Sequence, residues 1–383
     1  MGLCTIVLTA NAQKYIASLN IENNDDFSSF SMLDTAIAGN TVYFTGENHN
    51  FRTSNYKLQL KMLKYLYKNE GVRHLFLEFG VSRGWLVNNY VQTGDTTIFE
   101  VLSDYSYDEY ALLYKGLMEF NKTLPDDKKI IVHGIDIERS YSTPIKVLSM
   151  LLPAKKAPKS IELNIETLKS LSGKVDEEHN KINDEEGEHG QGKVNYNYNY
   201  NYNYNYGYDK YNTDNTLELI IKDYDSLKSE YEAYLGDNAP LFNEIMEGVK
   251  AEIKRNDFIL SSAMQSFIYR EQFMYNSLIT LVKQYPGEKF YGQFGRCHTP
   301  VSSQDKWCDF YFFNSFEENV FDIWPRIDYA VELSVSKYDE YNAYIFEQFE
   351  KLASGTRIVT YCSSDKQIPD SYDLEESCFD NLM

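Results

Sequence analysis

Two histidines of this chain share one local pattern, three residues after a glycine. The segments are Gly46-x-x-His49 and Gly295-x-x-His298, and the whole chain has six histidines. Glycine lets a chain turn sharply off a strand, so that a side chain three residues later can point back over the sheet edge. Two histidines held in this way can bind a metal, or act as general base and transition-state stabiliser. The pattern therefore predicts a catalytic or metal-binding pair.

Carboxylates near these histidines supply the partners that either chemistry needs. Glu47 lies two residues before His49, and Glu78 follows another predicted strand. A carboxylate can orient an imidazole ring, which is the metal-free interpretation. In the metal interpretation, His49, Glu78 and His298 are possible ligands of a divalent Mn, Co or Zn ion. We expect Glu47, His49, Glu78 and His298 to line one cleft.

Ionisable residues follow each of the first four predicted strands. The strands are residues 41–45, 74–79, 130–134 and 289–294, and the residues that follow or end them include Glu47, Glu78, His133, Asp136, Glu138, Arg296 and His298. In open α/β sheets, ligands bind beyond the carboxyl ends of the strands, so these side chains should converge. We predict that Asp136 and Arg296 bind substrate. Each residue also has a structural alternative, since such a glutamate often caps a helix and His133 can be a hydrogen-bonded core histidine.

Arg270 lies inside a predicted, largely apolar helix over residues 257–285. An unpaired buried charge is costly, so the guanidinium needs a partner. Two interpretations stay open, a structural pair with a carboxylate and a contact with the substrate or its developing oxyanion. On the second interpretation, Arg270 is a candidate catalytic residue.

The elements that position these residues alternate along the chain. Helical patterns at residues 56–69, 108–121, 217–235 and 257–285 separate the strands, and two further strands are predicted at 329–335 and 358–361. This alternation is typical of an α/β domain with a mostly parallel central sheet flanked by helices. We expect one such domain over residues 20–383, with a helical subdomain.

One segment, residues 173–212, interrupts this alternation. It contains an acidic stretch and then an Asn-Tyr repeat from Asn195 to Tyr206. Because its composition offers no continuous apolar face, we predict a disordered, low-complexity insertion. Two alternatives stay open: the repeat would also suit an exposed strand, and His179 and His189 would allow a surface metal tract.

The formal net charge of −20 restricts the classes of partner. It repels phosphate backbones and anionic lipid headgroups, so we expect no nucleic acid partner and a small neutral or cationic substrate. The sequence has no apolar run near the roughly 20 residues of a transmembrane helix. It also lacks a Walker loop, G-x-G-x-x-G and C-x-x-C, so nucleotide and zinc-ribbon functions have no support.

The first residues have the pattern that ends a signal peptide. An apolar run from Leu3 to Thr9 precedes Ala10-Asn11-Ala12, a small-x-small cleavage pattern. We interpret residues 1–12 as the remnant of a signal peptide whose basic start is missing, and expect export to the periplasm or the extracellular space. The alternative is a short buried first strand.

Six segments occur in the order of a known family. They are GENHN at 46–50, GVRHLFLEFG at 71–80, YVQTGD at 90–95, HGID at 133–136, REQFMYN at 270–276 and GRCH at 295–298. As a set, they resemble the erythromycin esterase-like proteins, in the wider group that includes the ChaN, TraB and Tiki proteins. The resemblance implies the α/β fold of this group.

The resemblance also implies a hydrolase of ester, lactone or amide bonds. It casts His49 as the base that activates water, with Glu47 and Glu78 as orienting or metal-binding carboxylates. His298 and Arg270 would stabilise developing negative charge. Two features depart from the esterases: one residue, not two, separates the first glutamate and histidine, and the later loop carries one histidine instead of two. The paired G-x-x-H is more similar to the Tiki and TraB proteins, for which metal-dependent hydrolysis is proposed.

Two other classes of function stay open. The same cleft could hold haem or a similar ligand without catalysis, as the resemblance to ChaN implies. The Asn-Tyr repeat could instead be the functional part of a surface or adhesive protein.

Overall fold

A computed structural model of the chain describes residues 21, 25–47, 52–102, 108–139, 141–188, 210–261, 263–295, 298, 333–337 and 359–363. Within some of these helices and strands, only the backbone is described. The predicted sites His49 and Arg296 and the predicted signal remnant, residues 1–12, lie outside the described residues.

The centre of the fold is a parallel sheet of four strands. They are β1 Val42–Glu47, β2 His74–Gly80, β3 Ile131–Asp136 and β4 Phe290–Gly295, in the order β1-β4-β2-β3. Each neighbouring pair runs parallel, which confirms the predicted fold class. Because all four strands run in the same direction, their carboxyl ends lie at one edge of the sheet. Strand β4 lies between β1 and β2, so it brings residues near 295 beside residues near 47 and 78.

Both faces of this sheet are covered, which explains why its strands read as nearly continuous apolar runs. On one face, Phe76, Phe290 and Phe294 pack with Met274 and Leu278 of the helix that precedes β4. On the other face, strand residues belong to a larger core that most of the remaining helices share. The helix that precedes β4 is therefore held directly against the strands that carry the candidate residues.

Helices make up most of the described chain. They are α1 Asp34–Ile37, α2 Arg52–Glu70, α3 Val81–Thr93, α4 Ile98–Leu102, α5 Asp108–Lys122, α6 Ser142–Met150, α7 Glu162–Glu188, α8 Lys210–Ser226, α9 Lys228–Leu235, α10 Ala239–Ser261 and α11 Ala263–Gln284. Among these described helices, none has both the length and the apolar character that crossing a bilayer requires.

The helical predictions are confirmed where one amphipathic pattern forms one helix. The predicted helices at 56–69 and 108–121 lie inside α2 and α5. The predicted helix at 217–235 is two helices, since α8 ends at Ser226 and α9 begins at Lys228. The predicted helix at 257–285 begins in the last turn of α10, and most of it is α11, which ends before the Pro-Gly pair.

The structure corrects the predicted start of the insertion. Composition predicts disorder from residue 173, but α7 continues as a helix to Glu188. The reason is a stripe of buried residues at helical spacing: Ile165, Leu168, Leu171 and Val175. Val175 lies inside the predicted insertion, so the packed part of α7 extends past residue 173. The five glutamates between residues 176 and 188 are good helix formers. Residues 189–209, which include the Asn-Tyr repeat, lie outside the described residues.

A second, two-stranded sheet lies later in the chain. Its strands, β5 Leu333–Lys337 and β6 Val359–Ser363, pair in parallel. They overlap the strands predicted at 329–335 and 358–361. Only the backbone of this sheet is described.

Helix α3 lies against β3 through a contact between two glycines. A β-carbon on Gly84 of α3 would overlap the backbone of Gly134 in β3, and a β-carbon on Gly134 would overlap the backbone of Gly80. These glycines allow α3 to approach β3 more closely than side chains would permit. The same approach places the first turn of α3 beside the carboxyl ends of β2 and β3.

We expect Gly84→Ala to lower the free energy of unfolding by about 1 to 3 kcal/mol, because the added methyl group must push α3 away from β3. Urea unfolding followed by circular dichroism measures this change. The matched control is Gly173→Ala in α7, where the added β-carbon meets no atom within 4 Å. That substitution should leave stability unchanged or raise it by about 0.5 to 1 kcal/mol. Equal effects of the two substitutions would contradict the close approach of α3 to β3.

Candidate active site

Three carboxylates lie at the carboxyl edge of the four-stranded sheet. Glu47 is the last residue of β1, Glu78 lies near the end of β2, and Asp136 is the last residue of β3. Strand β4 ends between them, with Gly295 opposite Glu47 in the register. In parallel sheets this edge is where ligands bind, so the topology itself gathers these residues.

Arg270 of α11 is the cation that joins two of these carboxylates. Its Nε donates to Asp136 Oδ1 at 2.9 Å, and its Nη2 donates to Asp136 Oδ2 and to Glu78 Oε1, both at 2.6 Å. Arg270 and Asp136 are buried. Burial acts to lower the pKa of Arg270, but the charges of Asp136 and Glu78 raise it well above its usual value, so the guanidinium stays charged. These contacts match the structural interpretation of Arg270, in which the guanidinium pairs with a carboxylate.

Glu78 connects three elements. Its Oε1 accepts from Arg270 and lies 3.4 Å from Nε2 of His298, while its Oε2 accepts the backbone N–H of Gly295 at 2.9 Å. One carboxylate thus links β2, α11 and the segment that leaves β4. Because it has several charged or hydrogen-bonded partners, Glu78 is held in one orientation.

His298 lies between two carboxylates. Its Nε2 faces Glu78, and its Nδ1 forms an ion pair with Oε1 of Glu271, the next residue of α11 after Arg270, at 2.5 Å. Burial acts to lower the pKa of His298, but the charges of Glu271 and Glu78 outweigh it and raise the pKa to about 10. His298 is therefore an imidazolium cation at neutral pH.

The carboxylate of Glu47 is held by the neighbouring strand. Gln293 of β4 donates from Nε2 to Glu47 Oε2 at 2.8 Å and to the backbone carbonyl of Asn55 at 3.1 Å, while its Oε1 accepts from Thr45 at 3.2 Å. The Thr45 hydroxyl also bonds the Tyr291 hydroxyl at 2.8 Å. Both acceptors of the amide nitrogen lack hydrogens to give, so the amide has one favourable orientation. The sequence carries a signal for Gln293, a polar residue within an otherwise apolar strand, but Gln293 is not ionisable and lies before the end of the strand.

Tyr110 of α5 is a second residue at this edge that the sequence patterns did not indicate. Burial raises the pKa of its phenol well above 10, and the charges of Glu47 and Glu78 raise it further. The phenol therefore keeps its proton and can act only as a neutral donor or acceptor near these carboxylates. Its ring packs edge-on against Phe79 with centroids 5.5 Å apart. Nothing in the amphipathic pattern of α5 distinguishes Tyr110 from an ordinary packing residue.

Glu138, two residues after β3, has a structural role at the start of α3. Its carboxylate accepts the backbone N–H of Ser82 at 2.7 Å and the Ser82 hydroxyl at 2.6 Å. It thus satisfies a backbone donor in the first turn of α3, where a negative charge is favourable. Burial nevertheless raises its pKa to about 7. This is the cap interpretation that the sequence allowed for such a glutamate.

His133 does not join the site. Its Nε2 lies 2.9 Å from Nδ1 of His74, and the two rings stack among Tyr285 and Phe290. His133 pairs with Phe76 in the register, and His74 is the first residue of β2, so the pair lies away from the carboxyl edge. Burial lowers the pKa of His74 to about 4 and that of His133 to about 3, so both rings are neutral. His133 is a half-buried histidine paired with His74, which matches the structural alternative that its sequence position allowed.

The structure brings together Glu47, Glu78, Asp136, Arg270 and His298 at one edge. Over the described ranges, which exclude His49 and Arg296, no group of three His, Cys, Asp or Glu side chains is arranged to hold a metal ion. The arrangement offers a partly buried imidazolium, fixed carboxylates and a neutral phenol. Such a set can stabilise negative charge, donate a proton and orient a water molecule.

Comparison with known proteins by sequence gives a similarity over a short segment. The sequence matches no protein-family model. It is 29% identical over 120 residues to an erythromycin esterase type II from Escherichia coli. That segment is 30% of this chain and 28% of the relative, so the match spans less than a third of the relative's length.

Solved structures give a similarity over most of the chain. A mutant of the erythromycin esterase EreC in its open conformation superimposes with a TM-score of 0.56 at 12% identity, covering 85% of this chain and 77% of that one. A succinoglycan biosynthesis protein superimposes with a TM-score of 0.50 at 15% identity, covering 86% of this chain and 73% of that one. At such identities the similarity shows the fold alone. The chain therefore has the erythromycin esterase-like fold that its sequence motifs indicated.

Proposed function

We propose that this chain is a hydrolase that splits an ester, lactone or amide bond of a small molecule. The observation that carries the proposal is the partly buried imidazolium of His298, held beside fixed carboxylates at the edge where parallel sheets bind ligands. The relative in Escherichia coli is named an erythromycin esterase, which supports an ester or lactone as the bond.

In this proposal His298 acts as the acid. When water attacks the carbonyl carbon, the carbonyl oxygen gains negative charge, and a nearby cation stabilises it. The same group can protonate the leaving oxygen or nitrogen as the bond breaks. A cationic His298 suits both tasks and cannot act as a base.

Water activation falls to His49 in this proposal. His49 takes the proton of the attacking water, and Glu47, fixed by Gln293, orients the ring or the water. Glu78, Asp136 and Arg270 act as positioning residues, because their described contacts are with one another and with His298. A substrate contact for Asp136 would have to act through Arg270, since Asp136 is fully buried. Arg296 stays a proposed substrate-binding residue.

A divalent metal fits the described residues poorly. The predicted ligands Glu78 and His298 face each other, and Glu78 also accepts from Arg270 and Gly295. A metal at His298 would have to displace the proton that Glu271 and Glu78 favour. Metal-activated water, with His49 as a further ligand, is the alternative mechanism, and sensitivity to a chelator distinguishes it.

Export to the periplasm or the extracellular space also stays part of the proposal. Its support is the apolar run from Leu3 to Thr9 followed by Ala10-Asn11-Ala12. Fractionation of expressing cells, with N-terminal sequencing of the product, tests it.

We expect activity to fall as the pH rises through about 10, the pKa of His298, because the imidazolium is lost. The folded pKa lies above the unfolded value of about 6.5, so the stability from this cation is full below pH 6.5 and is lost as the pH rises to about 10. A panel of esters, lactones and amides identifies a substrate, and kcat/KM against pH then measures the alkaline limb.

His298→Gln should lower kcat by about 10²- to 10³-fold, because a neutral amide replaces the cation that faces the oxyanion. The control is His133→Gln, which disturbs a histidine pair away from the site and should lower stability while kcat stays near that of the parent. Equal kcat values for His298→Gln and the parent would refute the acid role. Lack of hydrolysis across the panel, together with a Soret band on haem titration, would favour the ligand-binding alternative.

His49→Ala should lower turnover by about 10²- to 10⁴-fold, and activity of the parent should fall as the pH drops through the pKa of a base near 6.5. EDTA should leave the activity of the parent unchanged. Circular dichroism checks that the variant is folded. Loss of activity in EDTA, with recovery on adding Mn²⁺, Co²⁺ or Zn²⁺, would establish the metal mechanism instead.

A further inference from the structure

We propose that a cluster of polar side chains beyond the carboxyl edge is a substrate-binding subsite for a neutral group that carries hydroxyls. This outer cluster consists of Tyr141, Glu252, Arg255, Asn256 and Ser266. The sequence patterns did not indicate any of these residues. The inference deepens the proposed function by naming the chemistry of one part of the substrate. Its effect on hydrolysis rests on that function, whereas binding of the hydroxylated group does not.

The outer cluster lies past the end of β3, next to the buried pair that Arg270 forms. Helix α11 runs towards the start of β4, so the residues that precede Arg270 in α11 lie beyond the carboxyl edge. Ser266 precedes Arg270 by one turn, about 6 Å along the helix axis. Helix α10 reaches the same level, because Glu138 donates its backbone N–H to the carbonyl of Gly248 at 3.2 Å. A ligand at the sheet edge would therefore find the outer cluster within one or two helical turns.

The cation of the outer cluster is neutralised by its own helix. Arg255 donates from Nε and Nη2 to the two carboxylate oxygens of Glu252, at 2.7 and 2.8 Å. The Arg255 side chain is 16% exposed and that of Glu252 is 6% exposed. This bidentate pair has no net charge and is held rigidly. It can present N–H groups to a ligand without favouring an anion.

The remaining contacts of the outer cluster are long. The contacts from Arg255 Nη1 to the Ser266 hydroxyl, from Arg255 Nη2 to Asn256 Oδ1 and from Asn256 Nδ2 to the Tyr141 hydroxyl all measure 3.4 Å. Hydrogen bonds of this length are weak, and such contacts in a site without its ligand often tighten when the ligand binds. A ligand can therefore replace them at little cost.

The mixture of donors and acceptors identifies the kind of group that fits. Arg255 and the amide nitrogen of Asn256 donate, the amide oxygen accepts, and the hydroxyls of Tyr141 and Ser266 do both. A ligand hydroxyl also donates and accepts, so it matches this mixture. A carboxylate would only accept and an ammonium would only donate, and each would bring a charge that the neutral pair does not balance.

Binding is tested in the full chain, without hydrolysis. The probe is methyl α-glucoside, a neutral molecule with several hydroxyls, and 3-fluorotyrosine placed at position 141 alone reports its binding by fluorine NMR. We expect a saturable shift, with a Kd that Asn256→Ala raises about 3- to 10-fold. The matched control carries the label at position 224, where the Tyr224 hydroxyl bonds Asn243 of α10 at 3.2 Å, and should not respond. No saturable shift at position 141, an equal shift at both positions, or a larger shift with sodium acetate would overturn the proposal.

Hydrolysis gives a second readout, with two esters of equal length that differ in hydroxyls beyond the scissile bond. Tyr141→Phe and Asn256→Ala should each raise KM for the hydroxylated ester about 3- to 10-fold while kcat stays near that of the parent. Neither variant should change the kinetics of the other ester, and Tyr224→Phe should change neither ester. Equal effects on both esters would show a structural role and would overturn the proposal. Binding at position 141 without hydrolysis of either ester would count against the proposed function alone.

Discussion

The burial of Arg270 between Asp136 and Glu78 is the constraint on which the described site depends. A buried guanidinium is tolerated only when carboxylates with good geometry surround it, and removing one partner leaves a costly unpaired charge. Asp136 ends β3 and Glu78 lies near the end of β2, so the two neighbouring strands must end at the same level beneath α11. The apolar contacts of α11 with β2 and β4 hold the helix at the required distance. Packing and charge pairing thus specify the same placement of α11.

Among the residues that the structure describes, this pairing leaves fewer positive than negative charges at the site. Glu78, Asp136 and Glu271 face Arg270 and His298, which are two cations for three carboxylates. The deficit keeps His298 protonated and favours the proton on Glu138, whose pKa of about 7 is raised mainly by burial and further by Asp136. The balance of these described residues favours protons and cationic groups over anions. A neutral or cationic substrate, which the net charge of the chain also favours, is consistent with it.

Sequence patterns predicted the sheet but not the order of its strands. Apolar runs of five or six residues that end in ionisable groups located β1 to β4, because a strand buried on both faces needs such a run. The insertion of β4 between β1 and β2 depends on how α11 packs on the sheet, which no local pattern encodes. Local patterns also failed at α7, whose buried stripe extends to Val175 inside a segment with the composition of a loop. Gln293 and Tyr110 were missed because their importance arises from neighbours on other elements.

The histidines show most directly why a motif cannot define the chemistry of a site. Burial disfavours the charged form of every imidazole, and it acts in this direction on both His133 and His298. His133 faces another neutral ring and aromatic groups, so its pKa falls to about 3. His298 faces two carboxylates from β2 and α11, and its pKa rises to about 10. The opposite directions of these two pKa shifts come from residues far away in the sequence. A glycine three residues earlier can direct the ring towards the sheet edge, but the long-range pairing of α11 with β2 and β3 decides whether that ring is a base, a ligand or an acid.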